Sequence, residues 1–101
     1  MTINDLNYKE VIENNLTVIK MGAEWCGPCK MINPLFKEYE TKELGVVIGV
    51  CDIEESPAIT AEYGIRNIPT ILFLKDGIVV DKHVGVINAF QLDTKIEELK
   101  K

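Results

Sequence analysis

Trp25-Cys26-Gly27-Pro28-Cys29-Lys30 is the stretch whose reading decides the fold. It stands between a short β-branched run, Leu16 to Met21, and a helical stripe in which Met31, Ile32, Leu35, Phe36 and Tyr39 recur at i, i+3, i+4 spacing. A cysteine placed where a strand hands over to a helix sits among backbone N–H groups that have no intrahelical partner. The positive end of the helix dipole reinforces them, and both favour a thiolate at Cys26. Cys29 is three residues on, hence on the same face of the first turn and within reach of a disulfide. Cys26 therefore reads as nucleophile and Cys29 as resolving thiol. Gly27 removes side-chain bulk so that a substrate backbone can approach, and Pro28 occupies an early helical position where its missing N–H costs nothing. Trp25, beside the nucleophile on a loop, is expected to be an exposed apolar wall for a substrate chain.

Outward from this centre the pattern alternates. A first helix is expected from Leu6 to Ile12, with Asn4 or Asp5 as cap, and Ile3 could belong to a short strand before it. Val46 to Ile53 has buried-strand composition, and Ser56 with Pro57 opens a short helix that Gly64 ends. Thr70 to Lys75 and Ile78 to Val84 flank Asp76-Gly77, the dipeptide of a type I′ hairpin. Asn88 caps a last helix with Phe90, Leu92, Ile96 and Leu99 on its apolar face. The fold class is α/β: a mixed central sheet of four to five strands with helices on both faces.

Composition agrees. The 101 residues suffice for a single domain, residues 1–101, and 47% hydrophobic with 27% charged residues is the balance of a globular chain. A formal charge of −5 repels phosphate backbones, so nucleic acid is not an expected partner. No basic leader and no apolar run of membrane length is present, which makes the cytoplasm the default address. Three cysteines, Cys26, Cys29 and Cys51, do not make a secreted disulfide framework. C-x-x-C is also half of a zinc site, so metal is the alternative to dithiol exchange. Zinc needs four ligands, and only Cys51 and His83 remain, each alone on a strand, so no metal is expected. Cys51 reads as a small core hydrophobe, His83 as a solvated strand residue, and Glu54-Glu55 as solvation at the start of the third helix.

Ala23 to Pro34, A-E-W-C-G-P-C-K-M-I-N-P, resembles the active-site signature of the thioredoxin family. Tyr63-Gly64-Ile65-Arg66-Asn67-Ile68-Pro69-Thr70 is similar to its second hallmark, and Gly85 matches a third position. The resemblance implies a thioredoxin fold with five strands, and a cis Ile68-Pro69 bond facing the cysteine pair. It also implies a groove in which Trp25, Gly27, Pro28, Ile68, Pro69, Val84 and Gly85 grip an extended substrate. The implied activity is protein-disulfide reduction and electron transport by a monomer that holds no cofactor. A reductase partner, usually an NADPH flavoprotein, would restore the dithiol.

Two departures stand out. The family's strand commonly reads V-D-F-W-A, whereas the aligned run here is Ile19-Lys20-Met21-Gly22-Ala23, so Lys20 replaces the buried acid. The family's frequent lysine partner aligns with Val50. Lys20 is either a stem packed in the sheet with its amine in solvent or an amine coupled to the thiols. Rivals to the reductase reading are a specialised donor with altered redox poise and a non-catalytic module that uses the same surface to hold a partner.

Overall fold

The computed structural model describes residues 1–101. Its elements are α1 (Tyr8–Ile12), β1 (Leu16–Gly22), α2 (Gly27–Glu40), β2 (Val47–Asp52), α3 (Pro57–Glu62), β3 (Thr70–Lys75), β4 (Ile78–Val84) and α4 (Ala89–Leu99). The four strands form one sheet in the order β2-β1-β3-β4. β1 pairs parallel with β2 and antiparallel with β3, and β3 pairs antiparallel with β4. No helix is long and apolar enough to cross a membrane.

β1 and β3 occupy the middle of the sheet, and their residues are buried on both faces because helices cover both. On one face Val18, Ile71 and Phe73 pack with Ile32, Phe36 and Tyr39 of α2 and Leu92, Ile96 and Leu99 of α4. On the other, Ile19, Met21, Leu72 and Leu74 pack with Tyr8 and Ile12 of α1 and Ile59 of α3. Cys51 is buried in this second cluster, as expected of a core thiol, and burial pushes its pKa up. The alternation of β1 sends Val18, Lys20 and Gly22 to the α2 face, which is how a lysine comes to lie under that helix.

The fifth strand implied by the resemblance is reduced to a single parallel bridge, Thr2 to Val50. The Ile3 N–H donates to Val50 O at 2.8 Å, and the Val50 N–H donates to Met1 O at 2.9 Å. Ile3 is fully buried on Gly49, where an added Cβ would collide with the Ile3 side chain. The hairpin is as expected: Asp76 and Gly77 both have positive φ, 50° and 85°. A register shift between Phe73 and Leu74 then adds a bulge to the β3–β4 pair.

Three apolar residues assigned to helix faces lie in solvent instead. Leu6 precedes α1 in a turn, Met31 sits one step round α2 from the Ile32–Phe36 row, and Phe90 is in the first turn of α4 opposite Leu92; all three are exposed. Asn88 does cap α4, in a capping box with Gln91. Asn4 accepts from the N–H groups of Leu6 and Asn7 and so organises the turn before α1.

Ser56 stands at the N-cap position of α3, as expected, but its side chain makes no cap bond and turns toward the Cys51 thiol instead. Asp5 does that work from 54 residues away, Oδ1 accepting from the Ile59 N–H and Oδ2 from the Ala58 N–H, each at 3.1 Å. Local sequence could not show this, because the capping group arrives with the N-terminal segment. Asp5→Ala should lower stability by about 1 kcal/mol, the usual worth of a cap. Ser56→Ala should change it by less than about 0.5 kcal/mol, since no cap bond is lost. Urea unfolding of both variants checks the assignment.

Candidate active site

β1 ends at Gly22, and Ala23 to Trp25 carry the chain to α2, whose N-cap is Cys26. Cys26 has extended backbone angles, φ −84° and ψ 112°, and its Sγ accepts the Cys29 N–H at 3.2 Å. This cap bond places one of the orphan amide donors of α2 directly on the sulfur. Cys26 and Cys29 are joined as a disulfide, with Cα atoms 5.3 Å apart. Cys26 is 5% exposed and Cys29 2%, so the oxidised pair presents a small edge to solvent, the larger share of it at Cys26. Pro28 lies in the first turn of α2, and the helix runs on through Pro34.

Cys29 lies close against the bare backbone of Gly22. A Cβ added at Gly22 would stand 3.1 Å from Cys29 Sγ and 3.3 Å from its Cβ, tighter than ordinary contact. The same Cβ would be 3.9 Å from Lys20 Cε, so the sulfur and the lysine stem flank one bare stretch of strand. Gly22 was not among the residues singled out from sequence, although its place in the I-K-M-G-A run was the available signal. At Gly27, by contrast, an added Cβ would project into open space, which leaves that side free for an approaching chain.

Around the pair the structure assembles Ala23, Ile53 and Ile68 into a small apolar collar. Ile53 is a further residue that sequence reading passed over, at the C-terminal end of β2 where the Gly22 carbonyl accepts its N–H at 2.9 Å. The Ile68-Pro69 bond is cis. The Gly85 N–H donates to Pro69 O at 2.8 Å, extending the β3–β4 ladder past the Thr70–Val84 pair and tying the second and third hallmark positions together. Gly85 has φ 98°, a conformation that favours glycine. Val84 is exposed, and the His83 ring bonds to Val86 O at 2.8 Å, so His83 braces this loop rather than only meeting solvent.

Trp25 is 67% exposed. Its indole N–H donates to the Glu54 carboxylate, which corrects the reading of Glu54 as mere solvation. The bond holds the ring from the far side of the site, across the β2–α3 turn.

Lys20 is only 7% exposed, flanked on the sheet by Val50 and Ile71. Its amine donates to Asn33 Oδ1 on α2, and desolvation pulls its pKa down, with Glu40 opposing. Lys20 and Cys29 line the same cavity, of about 650 Å³, which also reaches Lys30, Lys37 and the edge of β2. The amine lies under α2, on the wall of an open groove that it shares with Cys29.

Comparison with known proteins agrees with this geometry. The thioredoxin family model matches residues 1–98. The chain is 47% identical over 81 residues to a thioredoxin of Rickettsia felis, covering 77% of this chain and 76% of that one. It is 37% identical over 100 residues to a thioredoxin of Chlorobaculum thiosulfatiphilum, covering 93% and 90%. A solved thioredoxin of Malassezia sympodialis superposes with a TM-score of 0.88 at 33% identity, covering 99% of this chain and 90% of that one. With its cysteine pair bonded at the N-terminus of α2, the chain belongs to the thioredoxin family and has the dithiol centre of a protein-disulfide oxidoreductase.

Proposed function

We propose that the protein is an electron carrier that reduces protein disulfides, with Cys26 as nucleophile, Cys29 as resolving thiol and Lys20 as the group that assists Cys29. The observation that carries the reading is the Cys29 N–H aimed at Cys26 Sγ from the first turn of α2. In the reduced protein that donor and the helix terminus favour a thiolate at Cys26. The thiolate attacks one sulfur of a substrate disulfide, and the other sulfur leaves as a thiolate and takes a proton. Cys29 then loses its proton and attacks Cys26 Sγ, which expels the second substrate thiolate and leaves the Cys26–Cys29 disulfide. Two electrons pass from the dithiol to the substrate. A reductase, by the family's habit an NADPH flavoprotein, returns the pair to the dithiol.

The substrate strand lies against Trp25, Gly27 and Pro28 on one side and Ile68, Pro69, Val84 and Gly85 on the other. Main-chain groups near Pro69 and Gly85 supply most of the grip, so substrate side chains matter little. The protein works as a monomer in the cytoplasm. Insulin reduction with dithiothreitol as electron source tests the whole reading: turbidity should appear with wild type and be absent with Cys26→Ser.

Order of labelling tests the roles of the thiols. With the reduced protein near neutral pH, iodoacetamide should modify Cys26 first and leave Cys51 unmodified until the chain unfolds, because burial keeps the Cys51 thiol protonated. Peptide mapping reads the order, and prior labelling of Cys29 would reverse the assignment.

Lys20 acts in either protonation state. Its lowered pKa makes a neutral amine more accessible, which accepts the proton of Cys29, and the charged amine instead attracts the Cys29 thiolate. Lys20→Met keeps the stem and removes the amine. It should shift the thiolate titration of Cys29 to higher pH and slow release of the mixed disulfide by about tenfold, with the fold intact. Single-turnover release rates and thiolate absorbance measure this; wild-type values in both would end the role.

A further inference from the structure

The cavity beside Cys29 contains more cationic character than disulfide exchange needs. It reaches Cys29 but not Cys26, so it lies behind the pair rather than in the substrate groove. On its walls stand Lys20 from β1 and Lys30, Asn33 and Lys37 from α2. None of the three lysines forms an ion pair. The Lys20 amine has three donors and one protein acceptor, Asn33 Oδ1, and the Asn33 amide N–H groups have no protein acceptor.

The acidic residues of the same cavity are differently placed. Glu40 acts on Lys20 through space but makes its ion pair with the Met1 ammonium, at 3.1 Å, and Asp52 Oδ1 accepts the Glu54 N–H at 2.8 Å. Glu24 is exposed at the rim. A lysine amine with unused donors on the floor of this groove, next to two exposed lysines that form no ion pair, offers an anion more than one partner.

Spacing indicates which anion. Along α2, Asn33 is about 4.5 Å from Lys30 and about 6 Å from Lys37 at 1.5 Å rise per residue. Lys20 is fixed at the level of Asn33, so the cations form a short row with one deep member and two at the helix surface. A single carboxylate satisfies only one end of such a row. The volume of about 650 Å³ admits a small organic molecule together with water.

We propose that this cavity binds a small dicarboxylate, one carboxylate on Lys20 and the Asn33 amide, the other on Lys37 one turn further along α2. Bound there, the ligand competes with the Cys29 thiolate for the Lys20 amine. It therefore opposes the step in which Cys29 attacks Cys26, and the coupling is reciprocal: the ligand binds the disulfide form more tightly than the dithiolate form. This second part rests on the exchange mechanism proposed above; the binding site does not.

Calorimetric titration of the oxidised full chain with succinate at low ionic strength tests the site, with neutral succinamide as control. Succinate should bind one to one and succinamide should not. Lys37→Glu should weaken succinate at least about tenfold, and Lys20→Met should weaken it by at least as much. Absence of saturable binding, or binding that neither variant weakens, overturns the site. Lys37 takes no part in the thiol chemistry, so Lys37→Glu should reduce insulin at the wild-type rate without succinate. Saturating succinate should slow wild type severalfold and leave Lys37→Glu unaffected at the same concentration. Succinate that binds yet leaves wild-type turnover unchanged overturns the coupling. A chain that reduces no insulin at all refutes the exchange mechanism, while calorimetry still decides the site.

Discussion

The contact between Cys29 and the bare backbone of Gly22 is the constraint on which the site depends. A Cβ at Gly22 would fall 3.1 Å from the sulfur, so α2 seats closer to the end of β1 here than a side chain at that position would allow without a shift of a few tenths of an ångström. Seated there, α2 offers Cys26 as its cap and Cys29 as the donor of the cap bond, so one backbone geometry sets both the spacing of the sulfurs and the electrostatics of the nucleophile. The same close seating brings Asn33 of α2 over Lys20, two residues back along the strand. A longer residue at Gly22 would alter the thiol pair, the lysine and the cavity together.

Around this contact the supports are long-range. Gly85 anchors Pro69 from the end of β4, and Ile68 closes the collar with Ile53 from the end of β2. Asp5 secures α3 from the N-terminal segment, and Glu54, in the turn before α3, holds the indole of Trp25. Each of these joins the ends of two elements at the margin of the sheet. The middle of the sheet needs no such ties, since β1 and β3 are held by ladders on both sides and apolar clusters on both faces. Rigid strands thus present loops whose positions are fixed by a few long-range hydrogen bonds and apolar contacts.

Lys20 shows how one substitution in a conserved-looking frame changes the local electrostatics. An acid there would accept hydrogen bonds and carry negative charge beside a thiol. An ammonium carries positive charge, loses solvation on burial and uses only one of its donors on the protein. With Val50 across the strand in place of a charged partner, no group in the sheet neutralises it. The cavity that opens from Cys29 along α2 is where water or an anion meets that charge.

Features with a local cause were legible in the residues themselves. The strand, helix, strand order follows from period and turn chemistry, the Asp76-Gly77 hairpin from two residues that tolerate positive φ, and the Asn88 cap from a donor three residues away. The dithiol centre was legible for the same reason: Cys26 and Cys29 share one turn, and the motifs around Pro69 and Gly85 identified the family that uses it. Tertiary structure decided whatever needs a partner distant in sequence. Ser56 was the local choice for the α3 cap, yet Asp5 supplies it; Leu6, Met31 and Phe90 fit an apolar pattern but face solvent, because burial depends on which side of a helix meets the sheet. The fifth strand came down to one bridge, Glu54 found the Trp25 indole, and Gly22 met Cys29. Periodicity records a residue's neighbours along the chain, and these contacts are made across it.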